Sequence, residues 1–162
     1  MPGVDAQTLT ELVDRHAAAL ALYARGWCAA PEDVVQQALI ELAGCARAPD
    51  RPVAWLFATV RRRAISRARS DRTRRGHETA AARQWFERTK NQQLTAGLAG
   101  ELLAELPLAE REIVIAYVWG QLTFAEIGRL VGVSTSTARR QYEAALDRLR
   151  ERIDVPCPKS ET

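Results

Sequence analysis

Two glycines, Gly128 and Gly132, stand four residues apart within LTFAEIGRLVGVSTSTARRQYEAALDRLR (Leu122 to Arg150), and they constrain this chain more than any other feature. Each separates helix-forming runs. A small residue at the first position lets a second helix approach closely, and a glycine at the second lets the backbone turn sharply. Thr123 opens the first run with a capping-box partner at Glu126, and Ser134 suits the N-cap of the second. The spacing predicts a helix-turn-helix, a unit that most often reads DNA.

The second helix of that unit has two faces. Ala138, Tyr142, Ala145 and Leu149 recur at helical spacing and form a core-facing stripe. Opposite them lie Ser136, Arg140, Glu143 and Asp147, flanked by Thr135 and Arg139. A recognition helix touches base edges with its N-terminal residues, which makes Thr135, Ser136, Thr137, Arg139 and Arg140 the candidates, with Ser134 beside them at the cap. Glu143 and Asp147 would repel phosphate, so deep contact ends there. The plainer alternative is an exposed helix on which Arg139 and Glu143 pair at i,i+4.

At 162 residues with 47% hydrophobic content, the chain is long enough for one domain or two small ones with real cores. Ala, Leu, Arg and Glu dominate while aromatics are few, which points to an all-α protein. Cys28, Cys45 and Cys157 lie far apart and have no metal-ligand spacing, as expected of a reduced, cytoplasmic chain without a bound metal. No apolar run reaches membrane-spanning length and the acidic N-terminus lacks a signal-peptide layout, so no membrane insertion is expected. His16 and His77 have no catalytic company and no phosphate-binding glycine loop is present; neither an enzyme nor a cofactor is expected.

The net charge of +3 hides an uneven distribution. Met1 to Ala46 carries two Arg against six acids, Arg47 to Lys90 thirteen basic residues against four acids, and Asn91 to Thr162 eight against ten. Attraction for a polyanion therefore sits in the middle third, and the helix-turn-helix segment should bind DNA weakly by itself.

Periodicity and caps predict helices over 6–26, 31–45, 52–75, 100–106, 109–119, 124–131 and 135–153. Pro31 followed by Glu32 and Asp33 suits a first turn, and Asp50 suits a cap with Pro52 just inside. Three apolar stripes, Leu9/Leu12/Val13/Leu20, Val34/Val35/Ala38/Leu39/Leu42 and Val53/Phe57/Val60/Ala64/Ala68, can bury one another as an N-terminal bundle. Residues 76–100 read as a linker, helical in part around Trp85 and Phe86. Extended, it could span roughly 80 Å. The expected organisation is a helical domain over 5–75, a linker over 76–100, a helix-turn-helix domain over 101–153 and a tail over 154–162.

With Val53, Phe57 and Val60 inward, the basic helix turns Trp55, Thr59, Arg62, Ser66 and Arg69 outward. Arginines, hydroxyls and an aromatic on one face suit single-stranded nucleic acid, where bases stack and guanidiniums follow phosphate. Arg61, Arg63, Arg67, Arg72, Arg74 and Arg75 widen the field. Trp55 serves equally well as a cap on the bundle.

The stretches CAAPEDVVQQALIEL, RPVAWLFATVRRRAISRARS and ELPLAEREIVIAYVWGQLTFAEIGRLVGVSTSTARRQYEAALDRLR occur in that order. Together they resemble regions two and four of an extracytoplasmic-function (ECF) sigma factor, the small type that directs bacterial RNA polymerase to promoters. The resemblance covers roughly Leu20 to Arg75 and Leu102 to Ile153. It implies that Asp33, Gln36, Gln37 and Glu41 dock on the clamp helices of the beta-prime subunit of core RNA polymerase, and that region-four surface meets the beta flap. By the same resemblance the loop around Arg47, Asp50 and Arg51 captures a flipped base of the minus-ten element. Trp55, Arg61, Arg62, Ser66 and Arg69 then serve strand separation, and Ser134 to Arg140 enter the major groove at the upstream element.

Melting requires the bound strand to offset lost stacking, a few kcal/mol per extruded base, and a cationic helix beside a small pocket can do that. Where the family commonly has Asn and Asp, this chain has Arg62 and Ser66; Gln141 and Ala144 stand where basic residues are usual. An anti-sigma factor as partner is implied by resemblance alone. The alternative function is a helix-turn-helix regulator that acts on promoter DNA without stable polymerase binding.

Overall fold

The computed structural model describes residues 3–75 and 97–153. Seven helices run through the described residues: α1 (Ala6–Arg25), α2 (Pro31–Ala43), α3 (Pro52–Arg75), α4 (Gly97–Glu105), α5 (Leu108–Val118), α6 (Phe124–Val131) and α7 (Thr135–Ile153). The all-α expectation holds, and α6 and α7 have the bounds expected from sequence. Helix α4 starts at Gly97, inside the span read as linker. The helical stretch expected around Trp85 and Phe86 and the tail from 154 lie outside the described residues.

Local chemistry explains most helix starts. Asp5 accepts the Thr8 amide at 2.9 Å and caps α1; that amide bond, with the Thr8 hydroxyl, lowers the Asp5 pKa. Pro31 begins α2 with Glu32 and Asp33 in its first turn, against the positive end of the helix dipole. At α3 the Arg51 carbonyl accepts the Trp55 amide at 3.0 Å. Arg51, not Asp50, thus flanks the helix, because Pro52 already occupies the first helical position; the Asp50 carboxylate lies 4.0 Å from Arg47 instead. Arg111 donates to the carbonyls of Ala104 (2.9 Å) and Leu106 (3.1 Å), closing the end of α4.

Helices α1, α2 and α3 pack on one another, α5, α6 and α7 do likewise, and α1 and α3 also touch α5 and α6 respectively. One apolar core therefore runs through both sets, from Leu12 and Leu42 to Ile127 and Ala145. Tyr23 meets Phe57 edge to face at 5.1 Å between centroids. Between the sets, Gly26 lies so close to Leu108 that an added Cβ would be 2.7 Å from its Cδ1, and at Gly120 an added Cβ would be 2.7 Å from Phe57. Burying a side chain such as Phe57 completely is worth about 1.5–3 kcal/mol.

Three positions differ from the expected faces. Thr59, expected outward, is 1% exposed, and Leu56, absent from the apolar stripe, is fully buried. Helix α3 is flanked by α1, α2 and α6, so more than one stripe of it is covered. Val13, expected inward on α1, is 38% exposed.

Candidate nucleic-acid interface

The helix-turn-helix is built as its glycines require. The capping box is complete, with Thr123 Oγ1 accepting the Glu126 amide at 3.2 Å and Glu126 Oε2 accepting the Thr123 amide at 2.8 Å. Helix α6 ends at Gly132 in the left-handed conformation (φ 80°). Gly128 is buried beneath the next segment, where a Cβ would come 2.6 Å from the Val133 carbonyl oxygen. Ser134 then caps α7, accepting the Thr137 amide at 3.1 Å and donating to the Thr137 hydroxyl at 2.8 Å.

That bonding divides the residues of the candidate recognition face. Ser134 is engaged with its own helix, while Thr135, Ser136, Arg139, Arg140 and Glu143 line an open concavity beside it. Arg139 lies over the Phe124 ring at 5.2 Å. Phe124 in turn stacks on Tyr117 at 4.7 Å and leans on Tyr142 at 5.5 Å. This aromatic floor limits where the Arg139 guanidinium can go. Arg140 reaches Thr137 Oγ1 at 3.4 Å and is otherwise exposed. The stripe of Ala138, Tyr142, Ala145 and Leu149 faces the core as expected. Glu143 and Asp147 are exposed on the opposite side.

The residues expected around the minus-ten element divide into free and engaged. Arg47, Asp50, Ser66 and Arg69 are exposed, with Arg47 and Asp50 lying 4.0 Å from each other. Arg62 is exposed and reaches Glu41 at 3.2 Å. Trp55 is half-buried and packs against the core. Arg51 pairs with Glu126 at 3.1 Å.

Arg61, expected to widen the basic field and serve strand separation, donates to Glu112 Oε1 at 2.8 Å and lies over the Trp27 ring at 5.3 Å. Burial works against its charge, but the Glu112 bond and charge outweigh it and raise its pKa. Tyr23 donates to the same Glu112 oxygen at 2.8 Å. Burial first, then the Glu112 charge, push its phenol well above the ordinary value, so it remains a donor. Glu112 is the buried acid that holds these groups, and its position among Ile113, Val114 and Ile115 gave no sequence signal of a partner.

On α2 the residues Asp33, Gln36 and Gln37 are exposed, and Glu41 is half-buried beneath Arg62 and Arg63, whose Nε lies 3.0 Å from Glu41 Oε2. Sequence reading passed over Ile40, 65% exposed on the same outward side. An exposed Ile beside four polar positions of a helix face was its available signal. Among the described residues no cluster of His, Cys, Asp or Glu could hold a metal ion, and no helix is long and apolar enough to cross a membrane.

Comparison with known proteins matches residues 102–151 to the family described as Sigma-70, region 4. The match spans α5, α6, nearly all of α7 and the C-terminal part of α4. No curated protein matches the chain. Among solved structures, one of CnrH in complex with the cytosolic domain of CnrY is similar over 94% of this chain and 92% of that one, with 22% identity and a TM-score of 0.56. The chain shares the fold of that protein, and its C-terminal helix-turn-helix lies within the segment that matches sigma region 4.

Proposed function

We infer that this chain is a sigma factor of the ECF type, which recognises promoters and brings about transcription initiation by RNA polymerase. The observation that carries the reading is the region 4 match laid over a capped recognition helix, in a chain whose strong positive charge lies on a different helix. Region 4 alone, with its slight acidic balance, is poorly suited to hold DNA unaided. A second contact is needed, and the exposed part of α3, with Arg62, Ser66 and Arg69, supports one to single-stranded DNA.

The working division is a region-two unit over 5–75, a linker and a region-four unit over 101–153. Thr135, Ser136, Thr137, Arg139 and Arg140 enter the major groove of the upstream element, positioned by Ser134. Arg47, Asp50, Arg51, Trp55, Arg61, Arg62, Ser66 and Arg69 serve the minus-ten element, Arg61 and Arg51 only when released from their carboxylates. Asp33, Gln36, Gln37 and Glu41, joined by Ile40, dock on the beta-prime clamp helices, and region 4 meets the beta flap. The chain supplies specificity, with no cofactor and no chemistry of its own. The fold it shares with CnrH, solved with the cytosolic domain of CnrY, supports an anti-sigma factor as a further partner.

The test is co-elution of the purified chain with core RNA polymerase and run-off transcription from a promoter that core alone ignores. Success in both is expected. Tight promoter binding with neither result would favour a helix-turn-helix regulator acting without polymerase.

A further inference from the structure

We propose that Gly3 is a positioning residue for the minus-ten loop: its bare Cα lets the segment ahead of α1 seat against the Cys45 carbonyl and sets where the loop 46–51 presents Arg47 and Asp50 to a flipped base. The proposal rests on the reading of that loop as the one that captures the base.

The loop has little to hold it from within. Among the described residues, Ala46 to Asp50 take part in no backbone–backbone hydrogen bond. The internal contact of Arg47 with Asp50, at 4.0 Å, joins side chains that are 71% and 92% exposed, so it is screened and weak. At the far end Arg51 is tied to Glu126 at 3.1 Å, and its carbonyl accepts the Trp55 amide at 3.0 Å. A pocket that reads an extruded base must be held to within about half an ångström, so the near end needs a hold as well.

Gly3 provides it. A Cβ built on Gly3 would lie 2.6 Å from the Cys45 carbonyl oxygen and 3.9 Å from that of Ala46. The two backbones therefore meet where the loop leaves α2. Both sides of the contact are anchored. Next to Gly3, Val4 packs against the core, and Asp5 caps α1 through the Thr8 amide at 2.9 Å and the Thr8 hydroxyl at 2.8 Å. Opposite, the Gly44 amide donates to the Ile40 carbonyl at 3.0 Å, the Cys45 amide to Leu42 at 3.2 Å and the Cys45 thiol to the Glu41 carbonyl at 3.3 Å. A side chain at position 3 either displaces the Cys45 carbonyl or lifts Gly3 off it. The first shifts the loop and the second removes its rear support, so Arg47 and Asp50 move in both cases.

The experiment uses the full chain and two readouts. Amide resonances of Arg47, Asp50 and Arg51 are followed in the free chain by NMR. Base preference is read with core polymerase on a promoter library randomised at the minus-ten element, as the ratio of the most to the least enriched base at the flipped position in retained open complexes. Gly3→Ala should move those resonances and lower the ratio by about fivefold, the lower end of what one wrong base costs. Its affinity for upstream duplex should not change. Gly44→Ala adds a methyl that meets nothing closer than 3.5 Å and should leave both readouts alone. Tyr23→Phe removes a buried 2.8 Å hydrogen bond that involves no loop residue, and should lower stability without altering the ratio.

If circular dichroism shows that Gly3→Ala does not fold, Val4→Ala loosens the anchor beside Gly3 and should act in the same direction. Unmoved Arg47 and Asp50 resonances overturn the proposal, and so does a ratio equal to that of Gly44→Ala. A fall matched by Tyr23→Phe assigns the effect to stability and overturns it too. A natural chain with no base preference removes the sigma reading and this role with it; the resonances, read without polymerase, distinguish that result from a failure of the Gly3 contact.

Discussion

The amide of Gly132 donates to the carbonyl of Gly128 at 2.9 Å and closes the turn between α6 and α7. The two glycines serve that bond for different reasons. Gly132 sits at φ 80° with open space where a Cβ would go, so Gly132→Ala meets only conformational strain, about 1–2 kcal/mol. Gly128→Ala drives a methyl into the Val133 carbonyl and should cost about 1–3 kcal/mol. Urea unfolding of both variants checks this, with duplex binding expected to fall further in Gly128→Ala because α7 must shift.

The recognition and strand-separating faces should fail separately. Arg140→Ala should weaken binding to upstream duplex by about 1–3 kcal/mol and leave permanganate reactivity of a preformed open complex intact. Arg62→Ala should leave duplex binding unchanged and slow open-complex formation. Interchanged defects would disprove the assignment of α7 and α3.

Ile40 gives a test of the docking face without a stability penalty. Because it is exposed, Ile40→Ala should leave the thermal midpoint unchanged, yet weaken association with core polymerase by about tenfold. Unaltered co-elution at limiting concentration would remove α2 from the polymerase contact.

His16 offers a pH signature. Its Nδ1 is buried without a partner, and burial, then the Arg15 charge, hold its pKa below the ordinary imidazole value. The folded chain therefore binds fewer protons than the unfolded one below about pH 6.5, and stability contributed at neutral pH is lost as the pH falls from there towards the lowered pKa. Urea midpoints at pH 7 and pH 5.5 should differ less in His16→Gln than in the natural chain. An identical difference would place the acid sensitivity elsewhere.

Much of this was legible because short-range chemistry wrote it. The capping box of Thr123 and Glu126, the Ser134 cap, Pro31 with its two acids and the glycine pair are all local, so α6 and α7 could be bounded without any tertiary knowledge. What escaped reading was set by neighbours distant in sequence. The burial of Thr59 and Leu56 depends on α3 being flanked on several sides, and Arg61 looked free because Glu112, 51 residues away, carries no local mark of its partnership. Asp50 misled for a smaller reason, a one-residue offset imposed by Pro52.

The core shared between the two sets of helices has a calorimetric consequence. Drawing α5 away from α1 and α3 returns to water the apolar surface where Leu108 meets Gly26 and Phe57 meets Gly120. Hydrating that surface adds a positive heat-capacity increment, opposite in sign to the burial that accompanies most association. A titration of this chain into a large partner that separates its halves would carry both contributions at once. Its temperature slope would then be shallower than the contact area alone demands.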